Sequence, residues 1–103
     1  MGPYDILNVK YRSRTDIISM ILQAAMNGAT KTRLMYGAFL SHSQLQEYLQ
    51  FLMEKKLIAL DEKRSEYRLT EQGLRFLRVY EEISKIVALD GKASQTVPPS
   101  LLE

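Results

Sequence analysis

The chain has 103 residues and a mass of 11.9 kDa, which is the size of one domain and excludes a two-domain enzyme. Hydrophobic residues make up 46% and charged residues 25%, so we expect a folded core and not a disordered chain. The absence of cysteine and the single histidine, His42, exclude disulfides, a thiolate nucleophile and the usual zinc sites, and no metal or other cofactor is expected.

The formal net charge of +2 is unevenly distributed along the chain. Residues 1–40 carry +3, residues 41–69 carry 0 and residues 70–103 carry −1. Because binding to a phosphate backbone depends on the local potential, this bias matters more than the sum. Apolar runs are far shorter than the roughly 20 residues of a membrane span, and no apolar leader follows Met1. We therefore expect a soluble, cytoplasmic protein with no membrane partner.

The first part of the chain predicts an arm and two helices. Residues 1–13 form an N-terminal arm whose apolar side chains alternate loosely. Apolar residues at spacings of three and four predict a first helix over residues 14–27, with Gly28 as its terminator. Thr30 is the candidate N-cap of a short second helix over residues 30–37.

The second part predicts a helix, a hairpin and a last helix. A capping-box pattern from Ser41 to Gln44 begins a third helix over residues 41–56. The apolar period then changes to two, which predicts a hairpin over residues 57–69. A fourth helix follows from Thr70 to about Leu89, where Asp90 and Gly91 end it.

This order of elements predicts a mainly α fold with a small β-hairpin, namely a winged helix-turn-helix with a C-terminal dimerisation helix. Residues 14–69 are the winged helix-turn-helix domain, residues 70–91 close the core and dimerise, and residues 92–103 are a flexible tail. Phe39 occupies the turn between the second and third helices, where glycine is more usual, and Gly37 is expected to relieve that turn.

Four runs carry a resemblance to a known family: GATKTRLMY at 28–36, LSHSQLQEYLQFL at 40–52, KLI at 56–58 and YRLTEQGLRFL at 67–77. Together they resemble archaeal winged-helix proteins that include small dimeric chromosomal DNA-binding proteins and archaellum-network transcription regulators. The resemblance spans about residues 14–89 and implies a winged helix that binds DNA. It also implies that the last helix pairs with its mate in an antiparallel coiled coil, which gives a dimer with two DNA-reading units.

The third helix is the candidate reader of the major groove, because polar residues lie opposite its apolar face. Glutamine can pair with adenine, serine can contact several base edges, and glutamate can accept a hydrogen bond from cytosine. The alternative is a solvated helix face with no reading role. His42 is a contact residue under the first interpretation and an exposed histidine under the second. The candidates are Ser41, His42, Ser43, Gln46, Glu47 and Gln50.

Basic residues near helix starts are the candidate phosphate contacts. Lys31, Thr32 and Arg33 lie in the first turn of the second helix, where cations oppose the helix dipole, so a nearby polyanion explains them better than helix stability. Arg12 and Arg14 flank the first helix and either serve the same end or only aid solubility.

The predicted wing carries Lys63 and Arg64 at its tip and Arg68 on its return strand. These residues suit a minor groove or a phosphate. The acidic residues beside them equally suit a mixed-charge turn that aids solubility.

The fourth helix has more apolar residues than one core face requires, and its second half predicts a homodimer interface. The alternative is that the N-terminal arm covers this surface within one chain. The interface candidates are Val79, Tyr80, Ile83, Ile86 and Val87.

The function that best fits these predictions is a dimeric protein that binds double-stranded DNA and regulates transcription. An architectural chromosomal protein, bound mainly through phosphates, and a winged-helix protein-interaction module that does not bind DNA are the alternatives. No catalytic pair, phosphate-binding glycine loop or ligand pocket can be inferred, so neither an enzyme nor a small-molecule ligand is expected.

Overall fold

A computed structural model describes residues 12–87 of the chain. It contains the following elements: helices α1 (Arg14–Ala24), α2 (Lys31–Ala38) and α3 (His42–Glu54), strands β1 (Ile58–Asp61) and β2 (Glu66–Leu69), and helix α4 (Glu71–Val87). The predicted mainly helical winged helix-turn-helix fold is confirmed. The predictions for the first eleven residues of the arm and for the tail fall outside the described residues. Within residues 12–87, no helix has the length and apolar character needed to cross a membrane.

Side-chain caps define the helix starts. Thr30 accepts a hydrogen bond from the Arg33 amide at 3.3 Å, as its position predicts. The Ser41 hydroxyl accepts from the Gln44 amide at 3.2 Å, and the Gln44 side chain accepts from the Ser41 amide at 2.9 Å. The predicted capping box of α3 is therefore confirmed.

The core lies where α1, α2, α3 and the root of the hairpin meet. Hydrophobic side chains from each of these elements are buried there, and α4 adds Leu77 near its middle. Helical spacing accounts for this, since α3 buries every third or fourth residue and turns the rest outward. The fully buried large side chains are Ile21, Leu22, Leu34, Leu45, Leu49, Leu52 and Ile58.

Two helices end earlier than predicted. Helix α1 ends at Ala24 instead of Asn27, because the Ala25 amide bonds the carbonyls of both Ile21 and Leu22 and tightens the last turn. Met26, which follows the end of the helix, is exposed. Helix α3 ends at Glu54 instead of Lys56, and Lys56 adopts a left-handed φ of 61° that turns the chain into β1.

The turn between α2 and α3 contradicts the expectation for Gly37. Phe39 itself adopts the left-handed conformation, with φ 55° and ψ 50°, while Gly37 stays inside α2. A Cβ on Gly37 would lie 3.0 Å from the Cβ of Ala24, so this glycine allows α1 and α2 to approach closely. The expectation that Gly37 relieves the turn is therefore wrong.

The hairpin is antiparallel, with Ile58 opposite Leu69 and Asp61 opposite Glu66. A separate bridge joins Tyr67 to Ala29, in the loop between α1 and α2, through hydrogen bonds of 2.8 and 3.0 Å. The Leu69 amide bonds the Ala25 carbonyl at 3.2 Å. Strand β2 is thus bonded to the end of α1 and the loop after it, as well as to β1.

Candidate nucleic-acid interface

The predicted reading residues share one exposed side of α3. Leu45, Leu49 and Leu52 hold the other side of the helix in the core, which fixes the direction in which the polar residues point. This side offers hydroxyl, amide and imidazole groups and a single carboxylate, so it is polar with little charge. The residues are Ser41, His42, Ser43, Gln46, Glu47 and Gln50, all exposed.

The first turn of α2 lies beside this face. The Lys31 ammonium donates a hydrogen bond to the Gln46 side-chain oxygen at 3.0 Å, which links the two helices of the motif. Thr32 and Arg33 are exposed in the same turn. The structure therefore brings together the predicted phosphate contacts of α2 and the predicted reading residues of α3.

Arg12 and Arg14 have intramolecular roles that the sequence did not predict. The Arg12 guanidinium donates to the Ala38 carbonyl and, at 3.1 Å, to the Phe39 carbonyl, and it lies 5.9 Å from the centre of the Phe39 ring. These bonds satisfy the end of α2 at its left-handed residue, so we reassign Arg12 to stabilising this turn. The Arg14 guanidinium lies over the Tyr48 ring at 5.3 Å and joins α1 to α3. A phosphate contact by either residue stays a prediction.

The wing carries its cations in two different environments. Arg68 lies 3.3 Å from a Glu66 oxygen and 3.8 Å from an Asp61 oxygen, and Arg64 lies 4.0 Å from Asp61. Lys63 is exposed at the tip, where its backbone amide bonds Asp61. The carboxylates partly neutralise both arginines. Within residues 12–87, Lys63 is the wing cation whose side chain forms no ion pair.

Lys55, which is not among the predicted site residues, lies 5.8 Å from the centre of the Phe51 ring at the end of α3. Lys55 follows Phe51 by four residues, and side chains at this spacing are neighbours on a helix, so the sequence pattern could have predicted this contact. Together with Arg14 and Tyr48, this pair gives two cation–aromatic contacts to rings of α3 within residues 12–87.

The second half of α4 exposes most of the predicted dimer surface. Val79, Ile83, Ile86 and Val87 are 53%, 47%, 76% and 53% exposed in the single chain. Their spacing of four, three and one residues places them along one stripe of the helix. We call these four residues the α4 stripe.

Tyr80 differs from its predicted neighbours in the interface. It is half-buried, and its hydroxyl donates a hydrogen bond to the Asp16 carboxylate of α1 in the same chain. The same carboxylate accepts from the Ser13 amide at 3.1 Å and completes a capping box at the start of α1. Tyr80 therefore joins α1 to α4 within one chain, and its place in a dimer interface stays a prediction.

The pKa values at this joint shift in opposite directions. Partial burial acts to raise the pKa of Asp16, but hydrogen bonds from Tyr80 and Ser13, with the nearby charge of Arg12, lower it below the usual 3.8. Partial burial and the bond to Asp16 raise the pKa of Tyr80 above the usual 10.0. Both shifts favour a neutral phenol that donates to an ionised carboxylate.

The fold and this surface define the class of protein. The chain belongs to a winged helix-turn-helix family, whose model matches residues 11–88. A solved structure with the same architecture is that of Sso10a-2, a DNA-binding protein from Sulfolobus solfataricus, with a TM-score of 0.69 and 26% sequence identity. The likeness covers 89% of this chain and 98% of that one. A comparison with curated proteins found no match.

Proposed function

We propose that this protein binds double-stranded DNA as a homodimer and regulates transcription, with α3 in the major groove. The observation that carries the proposal is the exposed polar face of α3, flanked by Lys31 and Arg33 at the start of α2. The family and the similarity to a DNA-binding protein support it. A face with several amides and hydroxyls but little charge suits base edges better than phosphates.

Under this proposal some residues contact bases and others contact phosphates. Ser43, Gln46 and Gln50 contact base edges, while Arg33 and the wing residue Lys63 contact phosphates on either side of the groove. Glu47 accepts from a cytosine amino group and disfavours phosphate close to it. The modest net charge of +2 limits binding to random DNA, which favours a regulator over an architectural protein.

The α4 stripe supplies the dimer contact in this proposal. Pairing the stripe with its copy about a twofold axis removes these apolar side chains from water without requiring a second surface. Two reading helices then face one duplex.

A binding titration tests DNA recognition. We expect a labelled duplex, selected from a random pool, to bind at submicromolar protein and about 50 mM salt, and to bind at least about 10³-fold more tightly than random DNA. Equal binding of all duplexes with a steep salt dependence would indicate an architectural protein. No binding at micromolar protein would refute DNA binding and favour the protein-interaction module, for which the exposed Glu47 is the main argument.

A pair of charge variants tests the dimer. Ile83→Glu places a carboxylate in the α4 stripe and should convert the protein to a monomer in sedimentation equilibrium. Lys85→Glu introduces the same side chain two residues later, on the opposite side of the helix, and should leave the dimer intact. A dimer that persists in both variants would exclude the α4 stripe as the interface.

A further inference from the structure

The contact between Lys31 and Gln46 fixes how Gln46 presents its amide. An ammonium group only donates hydrogen bonds, so the atom that it meets at 3.0 Å must be the amide oxygen. The amide nitrogen, with its two N–H groups, therefore points away from Lys31. Gln46 is exposed and Lys31 is half-buried, so the pair lies at the surface with its donors accessible.

This arrangement changes what Gln46 can recognise. A free glutamine pairs with adenine by donating to N7 and accepting from the N6 amino group. In this structure the oxygen that would accept already bonds a cation. It keeps a second lone pair, but an adenine amino group approaching it would also approach the ammonium, and two donors of positive potential repel each other.

Together, the two side chains offer donors alone. The amide contributes two N–H groups and the ammonium keeps two, with one positive charge beside them. Guanine is the base that presents two acceptors, N7 and O6, in the major groove, whereas adenine and cytosine each present an amino donor there. The chemistry of the pair therefore matches guanine.

The position of Lys31 also supports this role. A cation in the first turn of a helix opposes the helix dipole, so helix stability does not explain it. Within residues 12–87, the Arg33 side chain of the same turn makes no hydrogen bond or ion pair with α3, whereas the Lys31 ammonium bonds the reading face. Lys31 also lines a recess of about 340 Å³ with Leu60 and Tyr67 of the hairpin, and the residue as a whole is half-buried.

We infer that Lys31 and Gln46 act as one donor-only unit that selects guanine at the base pair facing the second turn of α3. This inference rests on the proposed function, since it requires α3 to lie in the major groove. It assigns Lys31 to specificity, where the sequence predicted a phosphate contact, and it replaces adenine with guanine as the base that Gln46 reads.

The test compares four duplexes that differ only at the base pair contacted by Gln46. That position is found by selecting sites with the wild type and with Gln46→Ala and locating where the preference is lost. The wild type should prefer guanine by at least about fivefold over the other bases. Lys31→Met keeps an apolar stem of the same length but removes the ammonium, so it should abolish the preference for guanine and increase the relative binding of adenine.

Arg33→Met is the matched control, because it removes a cation from the same helical turn. It should weaken binding to all four duplexes by the same factor and leave the base preference unchanged. In a Gln46→Ala background, Lys31→Met should no longer alter the preference, which shows that the two side chains act together. Melting temperatures of all variants verify that the fold is retained.

Either of two outcomes of the binding experiment would overturn the inference and leave the proposed function standing. One is a Lys31→Met variant that loses affinity equally for all four duplexes, as Arg33→Met should. The other is a wild-type preference for adenine. If the wild type binds no duplex, the proposed function fails instead. Side-chain amide resonances give a readout without DNA, since Lys31→Met should shift those of Gln46 in the free protein, and unshifted resonances would refute the contact.

Discussion

Replacing Gly73 with alanine tests the contact between α4 and the wing. Gly73 is buried in the first turn of α4, where its amide donates to the Thr70 hydroxyl at 3.0 Å. A Cβ at this position would lie 2.6 Å from Leu69 Cδ1 and still closer to the carbonyl oxygen of Leu57. The first neighbour is a flexible side chain, but the second is backbone and already accepts the Thr70 amide at 3.2 Å.

Two effects of Gly73→Ala oppose each other, and their magnitudes decide the sign. Helix propensity favours alanine over glycine by up to about 1 kcal/mol. Overpacking costs about 1–3 kcal/mol, and the upper part of that range applies because a backbone carbonyl must move. We therefore expect Gly73→Ala to lower the free energy of unfolding by about 1–2 kcal/mol, which corresponds to roughly 4–16 °C in melting temperature for a domain of this size.

Gly37→Ala is the matched control for this experiment. Its added Cβ would meet only the Ala24 side chain at 3.0 Å, a contact that a small shift of α1 relieves. The gain in helix propensity is the same, so we expect a change close to zero. Urea unfolding followed by far-UV circular dichroism measures both variants. A Gly73→Ala protein that is as stable as the wild type would refute the close approach of α4 to Leu57.

Three further predictions concern the joint between α1 and α4 and the turn before α3. Tyr80→Phe should lower the free energy of unfolding, measured with urea, by about 0.5–1.5 kcal/mol, because the Asp16 carboxylate loses one hydrogen-bond donor. An unchanged unfolding midpoint would contradict the hydrogen bond between Tyr80 and Asp16. The pKa of Asp16 is lower in the folded state than its usual 3.8, so the ionised carboxylate stabilises the fold. This stabilisation is complete above the pKa of the unfolded state and is lost as the pH falls through the lower pKa of the folded state. Unfolding measured between about pH 6 and about pH 2 should therefore show a smaller loss of stability for Asp16→Asn than for the wild type, and equal losses would refute the shift. Arg12→Met should destabilise the protein by about 0.5–1.5 kcal/mol, because the carbonyls of Ala38 and Phe39 lose their bonds to the guanidinium. Amide exchange in this turn should accelerate, and exchange at the wild-type rate would show that Arg12 does not hold it.

Local patterns predict much of this fold. The caps at Thr30 and Ser41 depend on residues three positions apart, and the apolar period of α3 depends on residues three and four positions apart. Both patterns involve neighbours in the chain, so they can be recognised in the sequence alone. The reading face follows from the same period. For this reason the order of elements and the exposed polar side of α3 agree with the prediction.

Contacts between distant residues account for what the sequence did not predict. Arg12 meets carbonyls 26 and 27 residues away, Tyr80 meets a carboxylate 64 residues away, and Lys31 meets an amide 15 residues away. These separations are far longer than the repeat of a helix or a strand, so no periodic pattern in the sequence predicts the pairs. The left-handed conformation of Phe39 belongs to the same class, because its carbonyl and its ring both contact Arg12, which precedes α1 in the sequence.

The bridge between Ala29 and Tyr67 has a consequence for motion. The amides of Ala29, Tyr67 and Leu69 are all bonded to the backbone of another segment, whereas residues 62–65 form the turn at the tip. Hydrogen exchange should therefore be slow at the base of the hairpin and fast at its tip. Since Thr30 and Lys31 directly follow Ala29, we expect the base of the wing and the first turn of α2 to move together. Under the proposed function, the base of the wing keeps its distance from Lys31 in a complex with DNA, and the tip that carries Lys63 adjusts to the width of the groove.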